Sequence, residues 1–300
     1  MTTSSPEEPQ TGPQWPTASD AGRSARMAET RPANAELRLA VAAARAGGAV
    51  LMRRLRAGGD LEVGYKDARA NLVTAADREA QRAVTATILA MFPYHLVNGE
   101  EGTAGSTGAS HVWYVDPLDG TTNYAHGLPF FCVSVALRAY GRTLAGAVYD
   151  PLRDDLYAAD ADGTATLNGI PLRVSDTATL DRSLVVAQAQ TVDPAEIRRY
   201  ARLVERLMSV AGGVRSLGSP ALTLCAIAAG RLEAYCEYGM DPWDIAAGQL
   251  ILERAGGRLT LFDGRPHESV DRVDVVASNA RIHHELITAL ADLDEQQGAP

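Results

Sequence analysis

The run Asp116-Pro117-Leu118-Asp119-Gly120-Thr121-Thr122-Asn123 follows directly on an apolar segment, 112–115. Read outward from it, the segment is a strand that ends at Asp116. Pro117 biases the residue before it toward extended backbone, and Asp119 returns on the far side of a tight bend that Gly120 makes accessible. Two carboxylates and the Leu118 carbonyl then face one small volume. Hard oxygen donors of this kind suit Mg²⁺, whereas zinc or copper calls for His and Cys. The N–H groups of Gly120, Thr121 and Thr122 are placed to open a helix and receive a phosphate. Taken alone, Asp-Pro-x-Asp-Gly reads first as a plain turn, since all three residue types are common in turns; the run through Asn123 and two further clusters shift that reading.

Two further acidic clusters lie at strand ends or loops, where rigid scaffolds commonly carry function. One is Gly99-Glu100-Glu101-Gly102; the other, Pro242-Trp243-Asp244-Ile245-Ala246-Ala247-Gly248, opens a helix. Around these clusters the periodicity predicts helices over 35–56 and from the stretch after Thr74 to before Pro93, where a helix must stop. Short apolar segments then predict strands over 111–115, 131–139, 144–149 and 155–159, with turns at 160–163 and at Asn168-Gly169. The second half alternates: strand 183–189, helix 194–211, a segment 215–217, helix 220–229, strand 232–236, helix 243–254, strands 258–261 and 273–277, and a last helix from about Ala280. The reading is layered α/β, β-rich in its first half, with no internal repeat.

The segment to about Pro32 is rich in Ser, Thr, Pro, Glu and Ala, and Trp15 is its one large apolar ring. Such a composition cannot offset its ordering entropy, so residues 1–33 read as a disordered tail and 293–300 as a C-terminal tail. Cys132, Cys225 and Cys236 are odd in number, widely spaced and set in apolar runs. They read as reduced buried thiols, not as a disulfide frame or a zinc site. The net charge of −9 argues against direct binding to nucleic acid or an anionic membrane, both of which favour basic patches. With no apolar run long enough to span a bilayer and no signal-like opening, the expected location is the cytoplasm.

The three clusters, in this order, resemble the inositol monophosphatase family across about residues 34 to 292. Residues 116–123 match that family's first signature and 243–248 its second. The resemblance implies the layered α-β-α-β-α sandwich shared with fructose-1,6-bisphosphatase, with an N-terminal half of about 34–175 and a C-terminal half of about 176–292. It implies two to three Mg²⁺ ions: Glu100, Asp116 and the Leu118 carbonyl for one, and Asp116, Asp119 and Asp244 for a second. A third, weaker ion would sit near Glu100 through waters, close to Asp77.

By the same resemblance, Thr121 and Asp77 orient and help deprotonate the attacking water, with Glu100 in the catalytic set. Asp77 ends the stretch Asn71-Leu72-Val73-Thr74-Ala75-Ala76-Asp77, in which Asn71 departs from the family's aspartate. Lys66 resembles a lysine of a mobile loop and reads equally as a solvated loop lysine. Asp119, Gly120, Thr121, Asp244, Gly218, Ser219 and Glu237, with Ala221, resemble the substrate-contacting positions; Glu237 otherwise reads as an exposed strand-end acid. Pro220 removes one backbone donor from that segment.

The implied activity is Mg²⁺-dependent, lithium-sensitive hydrolysis of inositol 1-phosphate or a related polyol or sugar phosphate by a homodimer. Sister families act on histidinol phosphate, fructose 1,6-bisphosphate, NADP or 3′-phosphoadenosine phosphate with the same metal signatures. Some bacterial members associate with the transcription machinery, a reading of another class.

Overall fold

The computed structural model describes residues 34–57, 64–65, 72–267 and 271–293. The tail through residue 33, Lys66, Asn71 and residues 294–300 lie outside the described residues.

Helix α1 (Ala35–Ala57) is alanine-rich, with one buried stripe through Leu39, Ala43, Val50 and Leu51. Gly47 and Gly48 sit in its interior, where glycine ordinarily costs about 1 kcal/mol relative to alanine. Close packing accounts for both. A Cβ on Gly47 would lie 2.9 Å from Val84 Cγ2, and one on Gly48 would lie 2.6 Å from the Tyr149 ring.

The short pair β1 (Gly64–Tyr65) and β2 (Leu72–Val73) leads into α2 (Ala75–Met91). Thr74 caps that helix. Its hydroxyl accepts from the Ala76 N–H at 3.1 Å, while Asp77 accepts from the Thr74 N–H at 2.8 Å. Together these bonds close a capping box at the helix start. Helix α2 ends two residues before Pro93.

Next come β3 (Leu96–Gly99), β4 (Gly102–Gly105), β5 (His111–Asp119), the short α3 (Thr121–Ala125), β6 (Cys132–Ala139), β7 (Arg142–Asp150), β8 (Asp155–Asp160), β9 (Thr166–Leu167) and β10 (Ile170–Pro171). The strands form an eight-stranded sheet in the order β10-β9-β8-β7-β6-β5-β3-β4. Every neighbouring pair is antiparallel except β3 with β5. Asn168 and Gly169 both take positive φ in the β9–β10 hairpin, as a tight two-residue connection requires.

The chain continues through β11 (Leu184–Gln188), α4 (Pro194–Val210), β12 (Gly213–Arg215), α5 (Pro220–Ala228), β13 (Ala234–Met240), α6 (Pro242–Arg254), β14 (Arg258–Thr260), β15 (Val273–Ser278) and α7 (His283–Leu290). Its five strands form a second mixed sheet, β12-β11-β13-β15-β14.

Period-two alternation buries both faces of each sheet. In β5, Trp113 and Val115 pack under α1 and α2, while Tyr114 faces the core shared with α5 and α6. In β11, Val186 joins that central core, whereas Val185 and Ala187 meet Leu203 and Leu207 of α4 and Leu286 of α7. The layers are therefore helix, sheet, helix, sheet, helix. No helix among the described residues is long and apolar enough to cross a membrane. All three cysteines are buried and free.

Several local expectations are corrected. The strand at residue 111 does not end at Asp116; it continues to Asp119 through a bulge that sets Asp116 opposite Ser134 and Asp119 opposite Cys132. The hairpin of β3 and β4, absent from the expected strands, turns at Glu100-Glu101. The strand expected over 232–236 runs from Ala234 to Met240. The last helix starts at His283, because Asn279 Oδ1 accepts from the Arg281 and Ile282 N–H groups and Ala280 turns at φ 66°.

Candidate active site

The three acidic clusters converge on one cavity of about 450 Å³. Glu100 comes from the β3–β4 turn, which is tied to β5 by the Glu100 N–H donating to the Val115 carbonyl at 3.0 Å. Asp116, Leu118 and Asp119 come from the bulged end of β5, and Gly120 and Thr121 from the turn into α3. Glu237 comes from β13, and Asp244 from the first turn of α6. All eight line the cavity.

Local hydrogen bonds fix each group. Asp116 Oδ1 accepts from the Leu118 N–H at 2.9 Å across the bulge. Gly120 takes φ 96°, a left-handed conformation that glycine adopts freely, and turns the chain into α3. Asp244 Oδ2 accepts from the Asp241 N–H at 2.8 Å, so a cavity carboxylate also caps its own helix.

Asp119 Oδ2 is the most heavily held oxygen. It accepts from the Ser219 hydroxyl at 2.6 Å, the Ala221 N–H at 2.8 Å and the Cys132 thiol at 3.5 Å. Ser219 and Ala221 are fully buried and do not line the cavity. Both brace Asp119 from behind, while Gly218 and Pro220 reach the cavity wall.

Behind Thr121 lies Asp77, fully buried on α2. The Thr121 hydroxyl is 2.9 Å from Asp77 Oδ1 and 3.0 Å from the Leu118 carbonyl. Burial pushes the Asp77 carboxyl up to about 6, against hydrogen bonds from Thr74 and Thr121 that favour its charged form.

The cavity carboxylates are pushed the same way. Burial, then repulsion from Glu100, Asp119 and Asp244, holds Asp116 well above the usual carboxylate range. Burial raises Asp119 to about 7 despite its three donors, and raises Asp244 well above its usual range with Glu100 and Asp119 adding to the effect. Four carboxylates around one cavity repel one another unless protons or cations intervene. The donors are all oxygen, the chemistry of a hard divalent cation. They surround the cavity without closing on a single point: among the described residues, no three His, Cys, Asp or Glu side chains already form one ligand cluster.

Glu237 is not an exposed strand-end acid. It is 2% exposed, and burial raises it to about 8. The Tyr235 hydroxyl donates to it, and Gln188 lies opposite it on the neighbouring strand β11. Gln188, Gln190, Thr191, Ser216 and His126 complete much of the polar wall. Motif reading missed Gln188, although it is a polar residue on an otherwise apolar strand. Among the described residues, no arginine or lysine lines the cavity.

Residues 34–295 match the inositol monophosphatase family. An inositol-1-monophosphatase of a Synechocystis species is 39% identical over 237 residues, covering 77% of this chain and 80% of that protein. The Nus factor SuhB of Pseudomonas aeruginosa is 35% identical over 259 residues, covering 85% and 95%. The solved inositol monophosphatase of an Anabaena (Nostoc) species superposes with a TM-score of 0.75 at 39% identity, over 85% of this chain and 95% of the other. Its relatives thus divide between two kinds of name. A carboxylate-lined cavity between two mixed sheets, together with these matches over nearly all the described residues, shows that the chain belongs to the inositol monophosphatase family.

Proposed function

We propose that this chain is a Mg²⁺-dependent phosphomonoesterase that hydrolyses inositol 1-phosphate or a related polyol or sugar phosphate. The observation that carries this reading is the ring of Glu100, Asp116, Asp119 and Asp244 around one cavity, with the buried Thr121–Asp77 pair at its edge. Glu100, Asp116, the Leu118 carbonyl, Asp119 and Asp244 would hold two to three Mg²⁺ ions. Bound there, the ions neutralise charge on the phosphoryl oxygens and make water a better nucleophile.

The chain's own residues supply the rest. The Thr121 hydroxyl donates to Asp77, which leaves its lone pairs free to accept from a water and orient it for in-line attack. As the new P–O bond forms, the water proton passes through Thr121 toward the Asp77 carboxylate. The ester P–O bond breaks, the leaving alkoxide takes a proton from a second water, and Asp77 afterwards returns its proton to the hydroxide so formed. N–H groups of Gly120 and Thr121 would receive the phosphate, and Glu237 and Gly218 would meet the alcohol.

Among the described residues the cavity wall carries no arginine or lysine, which fits a single-phosphate substrate. Fructose 1,6-bisphosphate, NADP and 3′-phosphoadenosine phosphate each carry further phosphate groups, for which cationic side chains are the usual partners. Phosphate release should be measured with and without Mg²⁺ across inositol 1-phosphate, histidinol phosphate and these three, with Asp244→Asn as control. Preference for inositol phosphate, lost in the control, supports the proposal. Preference for another ester keeps the mechanism and changes the substrate.

A second reading comes from the similarity to proteins named Nus factors: a partnership with the transcription machinery, alongside or instead of catalysis. Salt-resistant co-purification with RNA polymerase would support it. A homodimer in the cytoplasm, inhibited by Li⁺, completes the proposal.

A further inference from the structure

Gln188 and Glu237 sit directly opposite each other on the parallel strands β11 and β13, so their side chains emerge side by side on the cavity wall. Both are nearly buried, at 5% and 2% exposure. The Gln188 carboxamide is held in one orientation. Its Oε1 accepts from the Gly218 N–H at 2.8 Å, which leaves the Nε2 amide as its donor side. Gly218 is fixed in turn: it takes φ 79°, and Asn123 Nδ2 donates to the preceding Leu217 carbonyl at 2.8 Å and to Phe130 O at 2.7 Å. The Tyr235 hydroxyl donates to Glu237.

A carboxamide has two N–H donors and two acceptor lone pairs. The Gly218 bond uses one lone pair. What remains is the amide donor and one lone pair at a cavity wall, next to a carboxyl group that still has acceptor capacity. A hydroxyl both donates and accepts, so it fits between them: it donates to Glu237 and accepts from Gln188. An apolar or aromatic leaving group would leave these buried groups unpaired, which is costly in a water-poor site.

We infer that Gln188 is a specificity-determining residue, which with Glu237 forms a fixed donor–acceptor pair selecting phosphate esters whose alcohol carries a neighbouring hydroxyl. This inference rests on the proposed phosphomonoesterase activity.

Gln188→Leu and Gln188→Glu separate recognition from scaffolding. Gln188→Glu keeps an oxygen that can accept from the Gly218 N–H but loses the amide donor; Gln188→Leu loses both. Each variant and the wild type are assayed with Mg²⁺ on inositol 1-phosphate and on p-nitrophenyl phosphate, whose alcohol has no hydroxyl, with thermal melting measured alongside. The expected result is that KM for inositol 1-phosphate rises about tenfold in both variants with a smaller change in kcat, the loss of one hydrogen bond. The ratio of kcat/KM between the two esters should fall by a similar factor. A proportional fall on both esters, or a ratio that falls in Gln188→Leu but persists in Gln188→Glu, would overturn the inference and make Gln188 a scaffold for Gly218. Wild-type protein inactive on both esters would instead overturn the phosphomonoesterase reading, and this inference with it.

Discussion

The Thr121 hydroxyl lies 2.9 Å from Asp77 Oδ1, joining residues 44 positions apart and two elements, α2 and the start of α3. The contact puts a proton acceptor behind a cavity-edge hydroxyl and out of the cavity itself. Asp77, raised to about 6, stays largely ionised near neutral pH yet is more basic than an ordinary carboxylate. Thr121→Val, which keeps the shape and removes the hydroxyl, should lower kcat by about 10²-fold with little change in KM, as loss of a general acid–base contribution does. Steady-state kinetics under saturating Mg²⁺ check it. Unchanged kcat would remove the pair from the mechanism.

The cavity carboxylates should make the protein's stability depend on Mg²⁺. Asp116 and Asp244 are destabilised as anions by burial and by their neighbours. A ligand that binds only the folded state adds about 2.7 kcal/mol at a hundredfold excess over its Kd. Melting of the wild type should therefore shift upward by several degrees with Mg²⁺. Asp116→Asn and Asp244→Asn retain an acceptor oxygen for the Leu118 and Asp241 N–H groups. Each should melt higher than wild type without Mg²⁺, gain little when it is added, and lose Mg²⁺-dependent turnover. A variant that keeps the wild-type Mg²⁺ shift would remove its residue from the ligand set.

These two predictions concern residues the sequence made visible. Contiguous motifs carried the identity of Asp116, Asp119, Thr121 and Asp244, and the apolar periodicity carried α1, α2 and the central strands. What it hid was set by tertiary pairing. The strand β4 is Gly-Thr-Ala-Gly, with no apolar alternation to announce it, and exists because β3 accepts it. Asp-Pro-Leu-Asp looks like a bend, but its neighbour β6 absorbs the extra residue as a bulge. Nothing local in the sequence ties Ser219 and Ala221 to Asp119, which lies 100 and 102 positions away and takes their donors. Gln188 belongs to no motif, and only the parallel register of β11 on β13 brings it to Glu237.

A buried histidine far from the motifs gives a prediction about pH. His283 contacts the Thr260 hydroxyl at 2.9 Å through Nε2 and the Ser278 hydroxyl at 2.8 Å through Nδ1. Burial, with repulsion from Arg258, lowers it to about 4. Below the ordinary histidine value the unfolded chain takes up a proton that the folded chain refuses, so stability is lost as pH falls from about 6.5 to about 4. Relative to His283→Gln, the wild type should lose about 1–2 kcal/mol between pH 7 and pH 5. Comparing the two proteins by urea unfolding at each pH cancels the titration of the other carboxylates. A pH-independent difference would mean that His283 is not held neutral.

Ser219 tests whether bracing a ligand matters as much as being one. Its hydroxyl, 2.6 Å from Asp119 Oδ2, is the first of three donors opposing the rise that burial imposes on that carboxyl. Ser219→Ala removes the donor and leaves the backbone contact from Ala221 in place. The Asp119 anion is then less stabilised and less well oriented. Losing such an outer hydrogen bond typically costs 10–100-fold in metal affinity. The Mg²⁺ concentration for half-maximal activity should accordingly rise about tenfold, while kcat at saturating Mg²⁺ falls less. The same shift should appear in Mg²⁺-dependent melting, which needs no substrate. Loss of this buried hydrogen bond should itself lower the melting temperature without Mg²⁺ by a few degrees, so the Mg²⁺-dependent shift is the readout that separates the roles. If kcat falls and the Mg²⁺ requirement does not move, Ser219 acts on the substrate side of the cavity and its assignment as a brace for Asp119 is wrong.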